Sequence, residues 1–269
     1  MPPADHALSP SRSPVFMTFE RTDSCPQPAN VNAYVWRFLD MAKFIDLLRT
    51  RSLYFCRGDR FDDPYEGMMP DEYVASIRAG LSNLGSVHRQ TRVFHYYRSH
   101  TYINCWHLSE HEPAAMWKLY AGVDAGIAIQ TTYSRLTCAF DTFAEPVNIG
   151  LVQYDPEFIF GRTNLIRFVM HKRKSFDHEK EVRAVFWRLP QHHDGFIDSD
   201  EPAPVPLPSW KSPPGEHVAV DLQRLLTRIV ISPAAPSWLQ AVITDVVQKY
   251  GLQLPVERSQ LYRLGYVQA

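Results

Sequence analysis

With 269 residues and 45% hydrophobic side chains the chain can bury one ordinary core, and a formal net charge of −1 gives it no global basic field for holding nucleic acid. Contact of that kind is thereby confined to a local patch such as His88, Arg89, Arg92, His95, Arg98 and His100. No apolar run approaches the roughly 20 residues that span a bilayer, and Met1-Pro2-Pro3-Ala4-Asp5 lacks the layout of a secretory leader, so a cytoplasmic location without membrane contact is expected.

Residues 1–30 hold Pro2, Pro3, Pro10, Pro14, Pro26 and Pro28 among Ser, Asp and Arg, with little apolar surface to order them, and read as a flexible tail before a single domain over 31–269. Tyr34 to Leu39 reads as a first strand. Asp40 then caps a helix over Met41 to Thr50, whose Phe44, Leu47 and Leu48 recur at helical spacing. Leu53 to Cys56 is a second strand. Phe61-Asp62-Asp63-Pro64-Tyr65-Glu66-Gly67 follows the grammar of a helix start, with Asp63 at the cap, Pro64 at the first position and Glu66 at the third. Residues 71–101 read as helix and polar connection.

Tyr102 to Ser109 is a strand ending at a hydroxyl, followed by a short helix over Pro113 to Ala121 and a compact strand over Gly126 to Gln130. Ser109 and Glu112 fit a capping box, yet Pro113 prefers the first helical position, which makes Glu112 the neighbouring cap and leaves Ser109 free for another role. Further strands are expected around Val147 to Tyr154 and over 181–187, with a helix at about 161–174 between them. Residues 188–217 carry seven prolines and read as a long irregular excursion. Order returns with Leu222 to Leu226, a strand over Arg228 to Ser232, a helix from Ser237 to Tyr250 stopped by Gly251, and a short strand near Leu254 to Glu257. This mixture, without regular βαβ alternation, predicts an α+β fold around a curved or split mixed sheet with flanking helices.

The stretch from His178 to Trp187 alternates as a half-buried strand, with Val182, Ala184 and Phe186 on one face and Glu179, Glu181 and Arg183 on the other. Such a charged row serves solubility on a surface strand. Beside Arg37 and Ser109 it also has a chemical reading. An arginine on a sheet strand offers a planar fork for phosphate, a serine at a strand end offers a short hydrogen bond, and paired carboxylates about 7 Å apart at their backbones can stabilise a cation or take a proton. Those are the parts needed to cleave a glycosidic bond beside a phosphate.

Over residues 34–262 the chain resembles a bacterial family described only as a domain of unknown function. The resemblance rests on Trp36-Arg37-Phe38, Leu53-Tyr54-Phe55, Phe61 to Gly67, Cys105 to Ser109, Met116-Trp117 with Tyr120-Ala121, and Glu179-Lys180-Glu181 with Arg183. Asp62-Asp63-Pro64 stands where that family has Asn-Asp-Pro. More remotely, the order of Arg37, Ser109 and Glu179-Lys180-Glu181 is similar to ADP-ribosyltransferases of the arginine–serine–glutamate type, with Leu108-Ser109-Glu110 in place of their Ser-Thr-Ser. That resemblance implies an ADP-ribosyltransferase-like fold, NAD as substrate and a macromolecular acceptor, in a toxin or phage-defence protein with a possible antitoxin partner. It implies that Arg37 grips the NAD phosphates and that Ser109 braces the nicotinamide side or the glutamate. Glu181 then bonds the ribose and stabilises the oxocarbenium-like transition state, Glu179 orients the acceptor, and Trp117 or Tyr120 stacks on nicotinamide.

Two other readings compete. One is a nuclease-like toxin using His95, His107 or His111 with carboxylates; the other is an interaction module in which Glu179, Glu181 and Arg183 form a solvated edge. His107 and His111 are four apart, but Pro113 and the break after the strand argue against one helical face, and the four cysteines (Cys25, Cys56, Cys105 and Cys138) contain no C-x-x-C pair, so no metal site is expected.

Overall fold

The computed structural model describes residues 19–20, 24–63, 65–68, 75, 79, 94–121, 125–155, 165–188 and 212–262. Ten strands form one sheet: β1 (Phe19–Glu20), β2 (Tyr34–Leu39), β3 (Ser52–Arg57), β4 (Thr101–Leu108), β5 (Ile127–Thr132), β6 (Val147–Leu151), β7 (Glu181–Trp187), β8 (Gly215–Ala219), β9 (Arg228–Ile231) and β10 (Val256–Arg258). Their order is β1-β6-β7-β4-β2-β5-β9-β10, with β3 and β8 as a side branch from β4. The edge pairs β1–β6 and β9–β10 are parallel and the others antiparallel, so the sheet is mixed and the fold is α+β.

The sheet is split at β4. One side of β4 pairs with β7 from Thr101 to His107. Its other side is shared: β2 takes Leu108 and His107, β3 takes Ile103 and Tyr102, and the stretch from Asn104 to Trp106 has neither as a partner. Three residues of strand correspond to a gap about 10 Å long. The cause lies in the connection, because β2 hands over to the helix Met41–Thr50, which recrosses one face before β3 joins the same edge of β4 further along. Asp40 caps that helix by accepting from the Lys43 amide at 2.8 Å, and Phe44, Leu47 and Leu48 bury its inner side. Each such burial is worth about 1.5–3 kcal/mol.

The two faces of the sheet differ. Val35 and Leu39 of β2, Tyr102 and Trp106 of β4, and Val182, Ala184 and Phe186 of β7 join a large apolar core, closed by the helices Met41–Thr50, Tyr133–Cys138, Leu222–Leu225 and Leu239–Lys249. On the opposite face, Trp36 and Phe38 pack on Met116 and Trp117, while Ile103 and Val185 pack on Cys25, Ile166, Val169 and Met170. Glu181 and Arg183 belong to this second face.

Several expectations change. The strand 181–187 is central between β6 and β4, and Glu179, Glu181 and Arg183 are buried, which overturns the solvated-edge reading. Glu179 is not on the strand: it ends the 3₁₀ turn Lys174–Glu179, and Lys180 (φ 39°) makes the left-handed bend into β7. The expected helix start at Asp63 is a turn, in which Asp63 accepts from the Tyr65 amide and holds Arg173 at 3.0 Å, and Gly67 (φ +69°) adopts a conformation costly for any other residue. The domain also begins before residue 31. Cys25 is fully buried, Gln27 donates to the Ile149 carbonyl at 2.8 Å, and a Cβ on Gly150 would sit 2.8 Å from Cys25 backbone, so only glycine lets this segment close on β6. The sequence pattern also missed β8 and the helix Tyr133–Cys138. The expected helix at 161–174 is described only as Leu165–Val169. Most of the Pro-rich excursion, most of 71–93 and three residues of the basic patch, 88, 89 and 92, lie outside the described residues. Among the described residues no helix is long and apolar enough to cross a membrane.

Candidate functional site

The bend between Glu179 and Glu181 is fixed before any side chain acts. The Leu108 amide donates to the Lys180 carbonyl at 2.9 Å, His107 Nδ1 donates to the Glu179 carbonyl at 2.5 Å, and the Glu181 amide donates to Tyr154 Oη at 3.0 Å. Because a carbonyl only accepts, the proton of His107 is on Nδ1, and burial pulls the imidazole pKa down, which favours the neutral ring.

Around this bend three carboxylates meet two cations. Arg183 spans Glu181 with Nε on Oε1 at 3.0 Å and Nη2 on Oε2 at 2.8 Å, while Nη2 also bonds Glu66 and Nη1 donates to the Val169 carbonyl at 2.7 Å. Lys172 Nζ lies 2.5 Å from Glu179 Oε2, 3.2 Å from Glu66 and 3.7 Å from Glu181. Tyr120 Oη donates to the other Glu179 oxygen at 2.8 Å. With every group ionised the cluster carries one net negative charge.

Its electrostatics follow from that packing. Burial alone would raise the Glu181 pKa, but Arg183 and then Lys172 outweigh it and hold the carboxyl below its ordinary value. Burial likewise works against the charge of Arg183 and of Lys172, and Glu181 with Glu66 more than restores it, so both cations are held more firmly than usual. The Cys105 thiol is pushed well up, first by burial and then by the charge of Glu181 beside it. Tyr120 and Tyr154 are also pushed up, by burial foremost and by the carboxylates.

The predicted residues are brought together only in part. Glu179, Glu181 and Tyr120 converge. Ser109 sits at the end of β4 beside the bend, but its hydroxyl donates to the His111 carbonyl at 2.7 Å and its own carbonyl accepts from Trp36 Nε1 at 2.8 Å. It caps no helix: the helix Ala114–Met116 has no side-chain cap and continues as a π-helical turn over Trp117–Ala121. Trp117 is buried edge-on to Phe38 at 5.0 Å, with its indole N–H on Glu112, so its ring belongs to the core and is not free to stack on a ligand. Tyr120 is 48% exposed.

Arg37 does not project from the face of Glu181, and β4 lies between their strands, which corrects the expectation that the two line one cleft. Trp36 registers with His107, and His107 with Glu181, so strand alternation sends Arg37 the other way. Its guanidinium then turns into the split, where Nη2 donates to the Tyr54 carbonyl at 3.2 Å, next to Asn104 Nδ2 on the same oxygen. A strand carbonyl points along the sheet, so the head of Arg37 lies in the plane of the gap, close enough to Cys105 and Cys56 to interact with both. Arg37 Nη1 is buried and has no hydrogen-bond partner among the described residues, and burial lowers the pKa of the group.

Sequence reasoning missed Glu66, Lys172 and Tyr154, and took Arg183 only as part of a charged row. Glu66 was hidden by a capping pattern and Lys172 by the basic run His171-Lys172-Arg173-Lys174. Two histidines of the nuclease reading are held apart: His95 precedes β4 and His107 lies near its far end, about 20 Å along the strand. Among the described residues no group of three or more His, Cys, Asp or Glu is arranged to hold a metal ion. A cavity of about 520 Å³ lies elsewhere, lined by Arg135, Cys138, Asp141, Asp221 and Arg224 among others, and contains none of the predicted residues. Comparison with known proteins finds no matching family model, no matching curated protein and no matching solved structure.

Proposed function

We propose that this chain transfers ADP-ribose from NAD to a macromolecular acceptor, as a toxin or phage-defence effector. The observation that supports this reading is the order of three neighbouring strands: β2 with Arg37, β4 ending at Ser109, and β7 opening at Glu181. Between the first two the sheet is split, and the gap holds a guanidinium with unused donors and no carboxylate partner among the described residues. Such a group suits a phosphate. Beyond β4 lies a cluster with one net negative charge, suited to the cationic nicotinamide ring and to the oxocarbenium-like ribose that follows.

In the proposed reaction the bond between ribose C1′ and the nicotinamide nitrogen breaks, and its electron pair leaves with neutral nicotinamide. A lone pair of the acceptor forms the new bond to C1′, and the acceptor releases one proton. With water as acceptor the products are ADP-ribose, nicotinamide and a proton. On the Glu181 face of the sheet His107 and Tyr154 fix the backbone of the carboxylate pair, and Arg183 with Lys172 holds the Glu181 carboxyl below its ordinary pKa.

Calorimetry with NAD on the wild type, Arg37→Ala and Glu181→Gln tests the reading. Saturable binding that weakens about tenfold or more in Arg37→Ala is expected from the loss of a charged hydrogen bond. Absence of binding at ~1 mM NAD, or undiminished binding by Arg37→Ala, ends it.

A further inference from the structure

The two carboxylates of the Glu-x-Glu pair are not equivalent, and their partners decide which of them a ligand can meet. Both oxygens of Glu181 are taken by one guanidinium, that of Arg183, which is 1% exposed and anchored at its far side by Glu66 and the Val169 carbonyl. Each of these oxygens already accepts from the guanidinium, and the Cys105 thiol hydrogen-bonds the same carboxylate, so a ligand there has no exchangeable partner to replace. Glu179 is held differently. Lys172 Nζ fixes Oε2 at 2.5 Å, and among the described residues Oε1 is covered by the hydroxyl of Tyr120 at 2.8 Å. Tyr120 is half-exposed and stands on a π-helical turn, a geometry common where helices serve a site.

We propose that Glu179, not Glu181, is the carboxylate presented to the ligand, that Lys172 is its positioning residue, and that Tyr120 is the exchangeable cover over its free oxygen. The ligand group that fits is a hydroxyl, because a hydroxyl from a sugar replaces the Tyr120 hydroxyl one for one, with the donor on the same oxygen and the charge of Glu179 unchanged. Lys172 keeps Oε2 in place throughout and spreads its charge over Glu66 and Glu181, so the cluster holds its shape while Tyr120 swings away. The assignment rests on NAD as the ligand for its catalytic consequences, though not for the geometry of the two carboxylates.

The test has two arms on the full chain. In the first, nicotinamide release from NAD is followed for Glu179→Gln, Lys172→Met and Lys172→Arg. Glu179→Gln and Lys172→Met are expected to lower kcat about 100-fold with KM changed less, as for loss of transition-state charge stabilisation. Lys172→Arg restores most of kcat. Full kcat in Lys172→Met or Glu179→Gln overturns the proposal, as does an equal loss in Lys172→Met and Lys172→Arg. In the second arm, a water-soluble carbodiimide with glycine methyl ester labels carboxyls of the folded protein, and peptide mass spectrometry reads each site. Glu179 is expected to label several-fold faster in Tyr120→Phe than in the wild type, with Glu181 protected in both; Glu181 labelling as fast as Glu179 overturns the assignment. If the wild type neither binds nor cleaves NAD, the proposed substrate falls, and the labelling arm alone still decides between the two carboxylates.

Discussion

Two arginines are drawn into the sheet of this protein, and they are accommodated in opposite ways. Arg183 has a bidentate carboxylate, a second carboxylate and a backbone carbonyl, and its charge is held more firmly than in water. Arg37 has one carbonyl at 3.2 Å and a buried nitrogen without a partner among the described residues, and burial weakens its charge. A buried cation with its counter-ions in place is part of the architecture, since removing one member strands the others. A half-buried cation without them, with one nitrogen fully covered, costs stability, and its retention suits an anion that arrives from outside. The comparison separates what holds the site together from what waits to bind.

The sharpest way to break the comparison is Arg183→Met, which leaves Glu66 and Glu181 facing each other across Lys172. A loss of about 3–5 kcal/mol is expected in urea unfolding. Protonation reaches the same pair from the other side. The folded pKa of Glu181 lies below its ordinary 4.5, so its contribution is fully present above that value and is lost as pH falls through the folded pKa. The melting temperature of the wild type should therefore fall steeply below pH 4.5, and the slope should flatten in Glu181→Gln. The raised pKa of Lys172 works in the alkaline direction, with stability present below its ordinary 10.5 and lost as pH rises through the folded value.

Glu66→Gln removes one charge and keeps the shape, and a smaller loss of about 1–3 kcal/mol is expected, measurable by the same urea titration. The smallest effect on folding belongs to Arg37→Met. A change within about 1 kcal/mol is expected, because the lost carbonyl bond is offset by relief of a desolvated charge. A loss as large as that of Arg183→Met would make Arg37 a structural plug of the split and remove the ground for an anion site there.

Much of the fold was legible because its causes are local. Asp40 before an apolar stripe starts the helix Met41–Thr50, Gly251 (φ +75°) ends the last one, and runs such as Tyr102 to Leu108 or Arg228 to Ile231 are recognisable as strands from their own composition. The same local grammar misled at Phe61 to Gly67. Asp63 and Glu66 fit a helix start, yet Glu66 turns inward to Arg183, 117 residues away, and no local pattern encodes that partner. Tyr34 to Leu39 shows both sides of the matter. The strand was plain, but the direction of Arg37 depended on its register against β4, and register is a property of two strands.

Periodicity, capping and turn chemistry act over a few residues, so most of the strands, the helices Met41–Thr50 and Leu239–Lys249, and an arginine, a serine and a carboxylate pair in a fixed order were legible in the sequence, while β8 and the helix Tyr133–Cys138 were not. What only the tertiary structure decided is which of them meet. The bend at Lys180 put Glu179 off the strand, the packing of Leu165–Val169 and of the Phe61 turn against β7 delivered Lys172, Glu66 and the Val169 carbonyl, and the split beside β4 gave Arg37 a place in the sheet plane. Those outcomes depend on desolvation and charge balance among residues far apart in the chain, and such terms exist only once the core has closed around them.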